Sequence, residues 1–105
     1  MVLHIQDEID RITNQIVEKY KPEKIILFGS AARGEWNSDS DADFLIIKKE
    51  TPLYGRDTIR ELSRLIDRHI PVDLLIYRPD EFDKRIQMGD PFLKLILKEG
   101  KILYG

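Results

Sequence analysis

The chain has 105 residues, of which 42% are apolar and 34% charged, with 17 basic against 19 acidic side chains and a formal charge of -2. That is the composition of a small globular domain, expected to run as a single unit over residues 1–105, and it excludes the overall basic field of a protein built to grip nucleic acid directly. The absence of cysteine excludes disulfides and thiolate chemistry, so any metal must be held by oxygen or imidazole.

No apolar run approaches the roughly 20 residues that span a bilayer, and Met1-Val2-Leu3-His4 lacks the basic start and apolar core of a signal peptide. The expectation is a cytoplasmic protein without membrane contact. Ile5, Ile9, Ile12, Ile16 and Tyr20 recur at steps of four and three, which makes one apolar stripe on an amphipathic helix ended by Lys21-Pro22. A near-continuous apolar strand follows over about Lys24 to Phe28, its character that of an inner strand buried on both faces. Gly29 to Arg33 suits a short helix, and Gly34 to Ser40 reads as a loop.

From Asp41 or Asp43 to Ile47 the pattern is a second strand. Ile59, Leu62, Leu65 and Ile66 mark a second amphipathic helix over about Arg56 to His69. Val72 to Tyr77 is a third strand, interrupted by the charge of Asp73. Phe82 and Ile86 support a short helix, Asp90 and Pro91 are an N-cap and first helical residue, and Phe92, Leu93, Ile96 and Leu97 ride a last helix that stops at Gly100. Lys101 to Tyr104 adds a short edge strand. The expected architecture is α/β in the broad sense (α+β), a small sheet of three to four strands flanked by helices.

Two features carry chemistry. In a strand, side chains two apart share a face, so Asp41 and Asp43 project together, and paired carboxylates repel unless a cation offsets their charge. Hard oxygen ligands favour Mg²⁺ or Mn²⁺, which take remaining ligands from water and substrate phosphates. Asp73 strengthens the reading, because a carboxylate in an apolar strand is costly unless it is paired, binds metal or reaches solvent at the strand end. If the third strand lies beside the second, three acids converge in the manner of two-metal phosphoryl transfer. The Gly29-Ser30 pair complements them, since a glycine and a serine at a helix start let N–H groups and a hydroxyl approach phosphate oxygens.

Two rival frames fail. Gly29 to Gly34 has the glycine spacing of a P-loop, but Glu35 stands where its lysine is required. Asp39, Asp41, Asp43 and Glu50 match positions of an EF-hand, but Phe44 occupies its obligatory glycine and the strand-like Phe44-Leu45-Ile46-Ile47 its flexible loop.

Gly29-Ser30, ten intervening residues and Asp41-Ala42-Asp43 together resemble the signature of the minimal nucleotidyltransferases, members of the DNA polymerase β-like superfamily. Ala32-Arg33-Gly34, Ser40, Asp73 and the ending Glu99-Gly100-Lys101-Ile102-Leu103-Tyr104-Gly105 extend the likeness over nearly the whole chain. The resemblance implies a nucleotidyltransferase fold with a mixed sheet. It implies that Asp41, Asp43 and Asp73 bind metal, two Mg²⁺ ions or Mn²⁺ in their place, and carry catalysis, with Asp73 a candidate for deprotonating the acceptor hydroxyl. Gly29 and Ser30, with Arg33 as a further phosphate contact, would bind the nucleotide.

The implied reaction is transfer of a nucleoside monophosphate from ATP or another nucleoside triphosphate to a hydroxyl. The implied partner is a HEPN-domain toxin, modified on tyrosine and neutralised by this chain as antitoxin, in a homodimer or hetero-oligomer. The alternatives are an antitoxin that acts by contact alone, and transfer to a small molecule or an RNA end. The chain has no room for the substrate domain of larger relatives, which favours a protein acceptor.

Other residues read differently. Asp39 falls among the loop's small polar residues and reads as solvated. Arg33 is open between surface charge and phosphate contact, Ser30 between helix cap and phosphate ligand, and Trp36 between partner anchor, lid and core. His4 and His69 have no ligand spacing, and Tyr20, Tyr54, Tyr77 and Tyr104 read as core edge.

Overall fold

The computed structural model describes residues 5–35, 37, 40–50 and 56–105. Trp36, Asp39, His4 and Tyr54 lie outside them. The chain builds α1 (Ile5–Tyr20), β1 (Lys24–Phe28), α2 (Gly29–Arg33), β2 (Ala42–Ile47), α3 (Arg56–Leu65), β3 (Val72–Tyr77), α4 (Pro79–Gln87), α5 (Pro91–Glu99) and β4 (Lys101–Tyr104). The sheet order is β3-β2-β1-β4. The β1–β2 and β1–β4 pairs are antiparallel and β2–β3 is parallel, so the sheet is mixed as expected.

The strand alternation sorts the core into two layers. Ile25, Leu27, Phe44, Ile46 and Leu74 pack with Ile9, Ile12 and Ile16 of α1 and with Leu62 and Ile66 at α3. On the opposite face Ile26, Leu45 and Ile47 pack with Phe82 of α4 and Leu93 and Ile96 of α5. Both faces of β1 and β2 are therefore covered, which explains their unbroken apolar runs. Ile12 and Ile16 are fully buried, and cutting either to alanine is worth about 2–5 kcal/mol.

Local signals set the ends. The Asp90 carboxylate accepts from the Phe92 and Leu93 N–H groups at 3.0 and 3.2 Å, ahead of Pro91 in the first turn, as the sequence reading expected. Gly100 does end α5, but for a different reason from the usual left-handed cap. Its backbone is extended (φ -71, ψ 159), and a Cβ there would overlap the Ile96 carbonyl and lie 2.7 Å from Ile26 Cγ2. Close approach of the β1 face, not chain reversal, requires glycine. Helix α3 stops at Leu65, short of the expected His69, while Ile66 and Ile70 remain buried beyond it.

Candidate active site

The carboxylates gather where β1, β2 and β3 meet α2. Asp43 pairs across the sheet with Phe28 on one side and Asp73 on the other, so the two acids are direct neighbours in the parallel ladder. Both fall on the face shared with Leu45, Ile47 and Tyr77, the layer under α4 and α5. Asp41 precedes β2 and is exposed, so strand alternation does not fix its direction as expected. It is nonetheless close enough to act on Asp43.

Asp43 is the perturbed group. Partial burial pushes its carboxyl up to about 6, the Asp73 and Asp41 charges push the same way, and Arg33 opposes them. Asp73 is exposed at the start of an edge strand, so the sequence argument from a buried carboxylate takes its third branch: the acid reaches solvent at the strand end. Among the described residues no three acidic or imidazole groups close into a cage. The corner is an open set of hard oxygen donors.

Gly29 opens α2 with φ +72, and a Cβ at this position would overlap Asp43 Oδ2. Only glycine admits both the left-handed backbone and the carboxylate against it. Ser30 lies inside α2, whose N-cap is Phe28 with no side-chain cap, so the capping alternative for Ser30 does not apply. Its carbonyl accepts the Glu35 N–H at 2.9 Å. Arg33 is ion-paired with Glu35 at 3.0 Å and with Glu99 of α5 at 3.6 Å; the Glu35 hydrogen bond is the main reason its guanidinium pKa is raised.

The placement of Asp73 depends on contacts that the sequence reading missed. The Lys19 ammonium donates to the Leu65 carbonyl. Gln15 exchanges hydrogen bonds with the Asp67 backbone, both at 2.7 Å, and Arg11 pairs with the Asp67 carboxylate at 3.0 Å. Glu8, 3% exposed, accepts the His69 N–H at 2.6 Å and the Arg11 Nε–H at 2.8 Å. Burial acts to raise the Glu8 pKa, but these donors outweigh it and leave the carboxyl below its ordinary value. The Ala42 N–H then donates to the Pro71 carbonyl at 2.9 Å, which ties the segment leading into β3 to the residue between Asp41 and Asp43. A signal for Glu8 was available, because it stands three residues after Ile5 and four before Ile12, on the apolar stripe itself.

A cleft of about 170 Å³ adjoins this corner, lined by Phe28, Gly29, Phe92, Leu95 and Ile96 and by the charged Arg33 and Glu99. The Phe28 and Phe92 rings meet edge to face, with centroids 5.9 Å apart.

Comparisons of sequence and fold identify the family. The nucleotidyltransferase domain family matches residues 9–104. Two Methanocaldococcus jannaschii proteins carry the name "Putative protein adenylyltransferase": MJ0604 is 33% identical over 98 residues, covering 91% of this chain and 94% of the relative, and MJ0128 is 40% identical over 103 residues, covering 96% and 95%. The fold is similar to that of a chain in a toxin-antitoxin crystal structure with AMP-PNP, at TM-score 0.64 and 23% identity over 91% of this chain and 72% of that one. The site and these relationships together place the chain in the nucleotidyltransferase domain family.

Proposed function

We propose that this nucleotidyltransferase transfers AMP from ATP to a hydroxyl of a partner protein, a tyrosine of a HEPN-type toxin, and so acts as its antitoxin. The observation that carries the reading is the Asp43–Asp73 ladder pair beside Gly29. The names of the M. jannaschii relatives support protein adenylylation, and the toxin-antitoxin neighbour with AMP-PNP supports the nucleotide and the kind of partner.

The donor set fits Mg²⁺. Asp43 bears repulsion from Asp41 and Asp73 that Arg33 only partly offsets, and an open oxygen corner suits an ion that keeps water and phosphate ligands. Asp41, Asp43 and Asp73 would hold it, one ion or two, and when bound it supplies charge stabilisation at the reacting phosphate. The chain's own residues do the rest. The backbone of Gly29 and Ser30 receives the phosphates, and Arg33 exchanges Glu35 for a phosphate oxygen while it keeps Glu99. The acceptor oxygen attacks the α-phosphorus, the bond to the β-phosphate oxygen breaks, pyrophosphate leaves, and Asp73 takes the hydroxyl proton.

Incubation with α-labelled ATP, Mg²⁺ and the product of a neighbouring toxin gene tests the reading. Label on the toxin that is absent with Asp41→Asn and with Asp43→Asn supports it. Neutralisation without label, surviving both substitutions, identifies a contact antitoxin. Label on RNA ends or small molecules and not on protein moves the acceptor class.

A further inference from the structure

The cleft between α2 and α5 shares a wall with the candidate active site. Gly29 lines it on one side and presses against Asp43 on the other, and Phe28 is the ladder partner of Asp43. Its lining includes Phe92 and Leu95, 46% and 48% exposed, apolar surface that a folded chain ordinarily covers or uses. Its two charged lining groups, Arg33 and Glu99, are paired with each other. The charges of the lining therefore cancel, and its other side chains are apolar. A neutral, flat, apolar group complements it, and the volume of about 170 Å³ matches one aromatic side chain rather than a nucleotide or a helix.

We propose that this cleft seats the aromatic ring of the acceptor residue, a tyrosine-like phenol carried by the partner protein, and presents its hydroxyl toward the Asp43–Asp73 corner. The proposal rests on the transfer reaction above and adds the subsite that selects its acceptor. Edge-to-face contact with the Phe28–Phe92 pair supplies ring recognition, Leu95 and Ile96 supply apolar contact, and the Arg33–Glu99 pair flanks the ring. Aliphatic hydroxyls of serine or threonine leave the cleft unfilled, which makes them poor acceptors.

Protein labelled at its methyl groups and its backbone amides, titrated with N-acetyl-L-tyrosinamide and separately with AMP-PNP and Mg²⁺, tests this by NMR. The expected result is a saturable shift of the Leu95 and Ile96 methyl signals with the tyrosine probe, and of the Gly29 and Ser30 amides with AMP-PNP. Leu95→Arg, at a half-exposed position that tolerates charge, should abolish the probe's shifts and leave those of AMP-PNP. Shifts of Leu95 and Ile96 with AMP-PNP, or no saturable response to the probe, would overturn the assignment. Probe binding without label transfer to any protein would count against the transfer reaction and not against the cleft.

Discussion

The α-carbon of Gly29 lies so close to the Asp43 carboxylate that a methyl group on it would overlap Oδ2. This contact joins the two halves of the Gly29-to-Asp43 stretch: the glycine end and the acidic end abut with no side chain between them.

Gly29→Ala should therefore fail twice, through a left-handed backbone that disfavours alanine and through displacement of Asp43. We expect a stability loss of about 1–3 kcal/mol and a fall in transfer of tenfold or more, on the order expected for misplaced catalytic groups. Urea denaturation and label transfer measure the two effects. Gly34, also left-handed but with open space around a Cβ, should show only the smaller backbone penalty on conversion to alanine, of about 1 kcal/mol.

Asp43 also makes stability depend on pH. Its folded carboxyl is pushed up to about 6, above the ordinary aspartate value of 3.8. The native state then binds more protons than the unfolded state across that interval, so this group's contribution falls as pH rises through it. Asp43→Asn should stabilise the protein at neutral pH by about 1 kcal/mol after allowance for solvent screening, and by almost nothing near pH ~4. Denaturation curves at the two pH values check the sign.

A divalent ion relieves the same repulsion. Millimolar Mg²⁺ should raise the neutral-pH melting temperature by about 2–4 °C, within the range for a ligand well above its dissociation constant. The shift should disappear on chelation and in Asp41→Asn, whose carboxylate is exposed and carries little of the fold.

Glu8→Ala removes a buried acceptor, strands the His69 N–H and leaves Arg11 with Asp67 alone. A loss of about 1–3 kcal/mol is expected, with Glu8→Gln recovering part of it because an amide oxygen still accepts from His69. The folded Glu8 pKa is depressed, so the carboxylate's contribution is present above the ordinary glutamate value and lost as pH falls through the folded one. Chemical denaturation of the three proteins across the acid range measures this.

Periodicity and punctuation in the sequence carried most of the fold. The isoleucine steps of α1, the apolar runs of β1 and β2 and the Asp90-Pro91 start of α5 each have one local cause, and each appears where that cause places it. Asp41, Asp43, Asp73, Gly29 and Ser30 could be read as a set from motif spacing, and the parallel β2–β3 pairing brings Asp73 beside Asp43, but alternation failed for Asp41, which precedes β2. What was not legible arises between distant segments. The Arg33–Glu99 pair and the Gly100 contact with β1 depend on how α5 lies against the sheet. The Glu8–His69 clamp spans 61 residues, and the exposure of Asp73 follows from β3 being an edge strand, which sequence order alone does not specify.

Single-turnover label transfer from α-labelled ATP to the proposed toxin partner, comparing wild type with Asp43→Asn and Asp73→Asn at neutral pH with Mg²⁺, tests the proposed reaction most directly. The account predicts covalent label on the toxin with the wild type, and a loss of about a hundredfold or more with each variant while both remain folded and still bind the toxin. Undiminished labelling by the Asp43→Asn protein would contradict it.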